Sequence, residues 1–149
     1  MRAHESNTPP PVRVVCAIIQ RDAVFLAARR GPEVARAGLW EFPGGKILEG
    51  ETGHQALKRE IREELEVDIE IHERLAPSVH SYADITIELV PFVCEIRQGE
   101  PLPREHAEIA WFDTVSARAL RWSPADMPVL EQYLALRQQH AFGSGNRHG

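Results

Sequence analysis

Apolar residues fall in short alternating or continuous blocks along most of the chain and take up a helical period in two places. Residues 12–20 are β-branched and apolar, residues 23–28 form a second apolar run, and the intervening Arg21-Asp22 is short enough for a hairpin. Residues 29–39 turn polar, with Gly31-Pro32 and Gly38 as loop signals, before a short strand at 40–42 that ends at a glycine turn, Pro43-Gly44-Gly45. Residues 67–71, 75–82 and 85–96 read as strands, the last with Ile85, Ile87 and Leu89 alternating. A loop with Gly99, Pro101 and Pro103 leads to a strand at 108–112 and a helical turn at 116–120. No internal repeat is visible.

The first helical period begins after Thr52, a natural N-cap with Gln55 placed to complete a capping box. Leu57, Ile61 and Leu65 then form an i, i+4, i+8 stripe that packs one side of this helix on a core. Glu60, Glu63 and Glu64 lie beside that stripe, within an arc of roughly 100°. Like charges so placed repel one another and do not stabilise a helix. They sit at the rim of the core, where a site is both shaped and wet. The second period, residues 127–139, predicts a closing helix with Leu130, Tyr133, Leu134 and Arg137 at helical spacing.

Strands and helices intermixed with hairpin signals give the class α+β. At 149 residues the chain is long enough for one domain with a sizeable core, expected over residues 12–140. Residues 1–11, polar and ending in three prolines, predict an extended arm, and residues 141–149 a frayed tail. The net charge of −5 argues against a surface for nucleic-acid polymers, while leaving room for a small anion held through metal ions and arginines. No apolar stretch approaches the roughly 20 residues that span a bilayer. Cys16 and Cys94 lie in apolar strands, which predicts buried free thiols and a reduced, cytoplasmic compartment.

Three clustered acids alone fit a solvated helix face. Joined to Gly45, Glu51 and Arg59 at their spacings, they point to a site for hard divalent cations, which take oxygen ligands. Arg59 is the natural ion-pair partner of Glu51, pinning the preceding loop to the helix. A free carbonyl at Gly44-Gly45 is a further ligand, and the lack of side chains lets the backbone approach metal or phosphate.

The stretch resembles the Nudix box, G-x5-E-x7-R-E-U-x-E-E-x-G-U with U apolar. Gly45, Glu51, Arg59, Glu60, Ile61, Glu63, Glu64 and Val67 match it. Glu66 stands where the pattern has glycine. That glycine suits a left-handed helix exit, which costs a side-chain-bearing residue about 1–2 kcal/mol. Arg29-Arg30, residues 39–47, Trp111 and Ser123-Pro124-Ala125-Asp126 are similar to the MutT-like branch, so the likeness covers residues 12–137. The resemblance implies a Nudix-type α/β/α sandwich around a mixed, curved sheet. It also implies Mg²⁺-dependent hydrolysis of a nucleoside diphosphate linked to another moiety, with Mn²⁺ as a substitute. Glu60, Glu63 and Glu64 would ligate metal, helped by the Gly44 carbonyl.

Outside the box, the register places Glu105 where MutT-like enzymes have a further acid that binds metal or acts as base, with Glu108 its competitor. His106 reads as a surface histidine beside two acids, with a proton shuttle the alternative. Arg30 corresponds to an arginine that contacts phosphate or nucleoside, and Glu41 either braces the site or binds a base. Asp126 reads most simply as an N-cap of the final helix. By resemblance it is also the base-reading residue, closest to the CTP pyrophosphohydrolase type, where the 8-oxoguanine triphosphatase type has asparagine. An ionised aspartate accepts hydrogen bonds only and suits the cytosine amino group, whereas a protonated one also donates and widens the choice to oxidised purines. Trp40, Tyr82, Phe92 and Trp122 are candidate stacking surfaces that fit the core equally well.

The expected function is therefore a nucleoside triphosphate pyrophosphohydrolase for nucleotide-pool sanitisation, acting on cytidine-type or modified substrates. ADP-ribose or dinucleoside polyphosphate hydrolysis, or a non-catalytic nucleotide-sensing module, are the alternatives. The partner is a small nucleotide, with no polymer or membrane, and the chain acts as a monomer or homodimer.

Overall fold

Two cores of different composition lie on opposite faces of one mixed sheet, and strand β1 (Val12–Arg21) divides them. Its alternate side chains split accordingly. Cys16 and Ile18 join a cluster with Phe25, Phe42, Trp122 and Tyr133. Val15, Ala17 and Ile19 join Leu57, Ile61 and Leu65 on the other face. The computed structural model describes residues 10–148, with side chains described through residue 139. The arm expected at residues 1–11 lies outside the described residues as far as residue 9, and the tail expected at 141–149 lies outside the described side chains.

β1 pairs in parallel with β7 (Thr86–Gln98) from Val12 to Ile19. Its other edge is shared: β4 (Gly44–Lys46) pairs antiparallel at Val14–Cys16, and β2 (Val24–Arg29) at Gln20 and Arg21. The hairpin between β1 and β2 turns at Asp22, whose φ of 57° is tolerated by aspartate better than by most residues. β3 (Trp40–Glu41) and β8 (Glu108–Phe112) pair with β2, while β5 (Asp68–Arg74) and β6 (Ser78–Ser81) pair with β7. The chain from β3 to β4 thus crosses from an outer strand to β1, and Ala17 N–H donates to Pro43 O at 2.9 Å on the way. That crossing puts Glu41, Phe42, Gly44 and Gly45 where the sheet splits.

Helix α1 (Gly53–Leu65) covers one face of the sheet and helix α2 (Met127–His148) the other, giving the expected α/β/α sandwich. Thr52 and Gln55 form the expected capping box, at 3.1 and 2.9 Å. Glu66 takes the left-handed exit, with φ 60° and ψ 38°, so the helix ends as it would with glycine there. Arg104 Nε reaches the Glu66 carboxylate at 2.9 Å. Both cysteines are buried and unpaired. Burial pushes both thiols up, Cys94 to about 12. Among the described residues no helix is long and apolar enough to cross a membrane.

Candidate active site

Burial grades the three acids of α1 by their distance from the apolar stripe. Glu64, next to Leu57 and Leu65, is only 4% exposed, the Glu60 side chain 18%, and the Glu63 side chain 55%. Burial, then the neighbouring Glu60 carboxylate, then the charges of Glu105 and Glu41, raise Glu64 from the usual carboxylate range to about 10. Its Oε1 is buried without a hydrogen-bond partner among the described residues. An orphaned carboxylate oxygen among other acids is costly unless a cation meets it.

The box glycines are not in a turn, as the sequence suggested, but in strand β4. Neither has positive φ among the described residues. The need for glycine is closeness, not backbone freedom. A Cβ on Gly44 would stand 2.0 Å from Val15 O, and one on Gly45 2.3 Å from Glu60 Cδ. Arg59 fastens the loop to the helix as expected. It donates to both Glu51 oxygens at 2.6 and 2.9 Å, to Glu60 at 2.9 Å and to Lys46 O at 3.1 Å. The Arg59 hydrogen bonds, helped by Leu48 N–H, hold Glu51 down at about 2.

A second cavity lies on the other side of the β3–β4 crossing, and Asp126 forms part of its wall. Asp126 directly precedes α2, but among the described residues its side chain makes no capping bond to that helix. It lies in a 3₁₀ turn (Pro124–Asp126) preceding that helix, and its Oδ2 accepts from Phe42 N–H at 2.9 Å, tying residues 84 positions apart. Burial raises its pKa well above the usual carboxylate range, and the Glu41 charge adds to this. Tyr82 OH accepts from Ala125 N–H at 2.9 Å, and the Arg36 guanidinium stacks 4.0 Å from the Tyr82 ring, closing the rim. Of the aromatic candidates only Tyr82 lines this cavity; Phe92 and Trp122 are core, and Trp40 meets Phe112 edge-on.

Arg30, Glu41 and Gly44 line this cavity and also the acidic one, which Glu64, Glu105 and His106 complete. Arg30 donates to Glu41 at 2.8 Å and to Ala35 O at 2.6 Å, and His106 Nε2 bonds the other Glu41 oxygen at 2.8 Å. His106 is not a surface residue: its side chain is 8% exposed. Glu105 is exposed on the acidic side, whereas Glu108 pairs with Arg29 at 3.0 Å, away from that cavity's lining. Sequence reasoning did not single out Arg36, which has φ 58° in a loop with no periodic signal.

The donor set is all oxygen: carboxylates of Glu60, Glu63, Glu64 and Glu105, with the Gly44 carbonyl. Together with the orphaned Glu64 oxygen, that suits a hard divalent cation. Among the described residues no three of these side chains already converge as ligands. Arg59 holds Glu60 at 2.9 Å and approaches Glu63 at 3.5 Å, drawing both toward itself.

Residues 14–132 match the NUDIX domain family. A CTP pyrophosphohydrolase of Escherichia coli (strain K12) is 37% identical over 126 residues, spanning 85% of this chain and 93% of that protein. An 8-oxo-dGTP diphosphatase of the same organism is 32% identical over 111 residues, 74% of this chain and 85% of the other. The solution structure of the E. coli ORF135 protein superposes with a TM-score of 0.75 at 35% identity, covering 87% of this chain and 96% of that one. A domain match over most of the chain and relatives spanned nearly end to end agree with the architecture and with a box intact at every acid: the protein belongs to the Nudix family and is a MutT-like Nudix hydrolase.

Proposed function

We propose that the protein is a Mg²⁺-dependent pyrophosphohydrolase of nucleoside triphosphates, with cytidine-type or damaged and modified (deoxy)nucleotides as substrates. The observation that carries this reading is that the two cavities adjoin, sharing Arg30, Glu41 and Gly44 in their lining. A nucleotide laid along them has its base at Asp126 and its phosphates at the acid face. Water adds to a phosphorus, the phosphoric anhydride bond breaks, and a nucleoside monophosphate and pyrophosphate leave. Mg²⁺, when bound, supplies charge neutralisation and water activation there. Glu60, Glu63, Glu64, Glu105 and the Gly44 carbonyl hold it, while Arg30 offers its planar fork to phosphate oxygens.

Asp126 supports the base assignment. Burial and the Glu41 charge favour its neutral carboxyl, and Phe42 N–H fixes one oxygen. The other, as a hydroxyl, both gives and takes a hydrogen bond, which fits the adjacent N3 acceptor and N4 amino group of cytosine. The same pair suits an oxidised purine that presents donor and acceptor side by side. The names of the two relatives, one a CTP and one an 8-oxo-dGTP enzyme, fall on either side of that choice.

The test is a Mg²⁺-supplemented panel of normal and modified nucleoside triphosphates, ADP-ribose and diadenosine polyphosphates, read by product identity. Monophosphate and pyrophosphate from cytidine or modified substrates are expected. Preferential cleavage of ADP-ribose or diadenosine polyphosphates would overturn the substrate class. No turnover with any divalent cation would leave a nucleotide-sensing module.

A further inference from the structure

Glu41 is the one acid shared by both cavities, and it stands between two buried carboxyls, Glu64 and Asp126, whose ionisation its charge opposes. Such a group is held only if both its oxygens are engaged. One accepts from Arg30 and the other meets His106 Nε2, each at 2.8 Å. A carboxylate oxygen accepts and does not donate, so Nε2 is the donor of this bond. His106 Nδ1 is buried and has no partner among the described residues. An unmet buried polar atom detracts from stability. Stability therefore does not account for this histidine at this place; its hydrogen bond to Glu41 does.

We infer that His106 is a positioning residue of the hydrolase, which locks Glu41 and, through it, the Arg30 guanidinium in the wall that the two cavities share. The inference rests on the nucleotide reading above only for the kinetic consequence. The geometry isolates the effect. The loop bearing His106 is anchored by main-chain bonds of its own, Arg104 N–H to Glu64 O at 3.0 Å and Ala107 N–H to Arg29 O at 2.9 Å. Removing the imidazole leaves those anchors in place. Arg30 is then left with Ala35 O at 2.6 Å and a Glu41 that is free to swing.

Two readouts test this. Steady-state kinetics use the best nucleotide substrate of the panel. Side-chain ¹H–¹⁵N spectra of the metal-free protein report on the Arg30 Nε–H. His106→Leu is expected to raise KM about tenfold, the scale of one charge-assisted hydrogen bond, with kcat within about threefold and no fall in Tm. His106→Gln, which restores an N–H donor near the Nε2 position, returns KM to within about threefold of the parent. In an Arg30→Ala background His106→Leu adds less than about twofold, because residues acting through one contact are not additive. The Arg30 Nε–H signal broadens in His106→Leu and stays sharp in His106→Gln. A sharp, unshifted Arg30 signal in His106→Leu overturns the inference, as do losses that multiply in the double variant. A parent that turns over no nucleotide removes the proposed function, and the Arg30 spectrum still decides the role of His106.

Discussion

The acid face of α1 and the cavity beside Asp126 each contain a buried carboxyl, yet they are built by opposite means. Glu64 comes with Glu60 and Glu63 on one helix, four and one residues before it, so these three acids share a face as soon as the helix forms. Asp126 is placed by a hydrogen bond to Phe42 N–H from 84 residues away and by the Tyr82 hydroxyl under Ala125. Glu64 keeps an unmet oxygen, whereas Asp126 gives one oxygen to the main chain. An unmet acid oxygen beside other carboxyls suits a cation; an acid with one oxygen already bonded to the main chain suits a hydrogen-bonding ligand. Two carboxyls raised by the same cause, burial, thus suit different partners because their remaining valences differ.

The largest expected effect breaks the acid side alone. Glu64→Gln should lower turnover roughly a thousandfold by removing a metal ligand, while the fold stays intact by circular dichroism. Turnover near the parent value would remove Glu64 from the metal site. The same variant tests the electrostatics without metal. Because the folded-state value is raised to about 10, the unfolded chain ionises first as pH rises, and stability is lost from about pH 4.5 up to about pH 10. Glu64→Gln should therefore flatten the dependence of Tm on pH between 5 and 9 relative to the parent in a chelator. An unchanged slope would show that Glu64 ionises normally.

A smaller effect sharpens the other side. Asp126→Asn keeps an acceptor for Phe42 N–H but presents N–H donors where the acid has a hydroxyl that both gives and takes. The kcat/KM preference for cytidine over uridine triphosphate should fall about tenfold, the scale of one base-edge contact. An unaltered preference would move base reading to another residue. The smallest effect concerns the exit of α1. Glu66→Gly removes left-handed strain but also an exposed ion pair with Arg104, for a net gain of about 0.5–1 kcal/mol in urea unfolding. A loss of stability would show that the Arg104 contact outweighs the strain.

The helix cap, the apolar stripe, the clamp of Arg59 on Glu51 and the sandwich itself were legible because each depends on short spacings or on strand and helix periods. Gly44-Gly45 misleads for the same reason. Paired glycines suggest a turn, but the constraint is a strand packed against Val15 O and the Glu60 carboxylate, which no local pattern reveals. His106 is buried although a histidine among acids in a loop looks solvated, because β3 brings Glu41 against it. Arg36 carried no signal, since its meaning depends on Tyr82 lying beneath it.

By itself the sequence determined the family, the helix that carries the acids and the oxygen-only donor set, all properties of residues within a few turns of one another. Only the tertiary structure decided which acids are buried and shifted upward, and that Arg30, Glu41 and His106 form one hydrogen-bonded unit. The reason is physical. Burial and charge coupling are sums over whatever packs around a group, and for Asp126 those neighbours come from the other end of the chain.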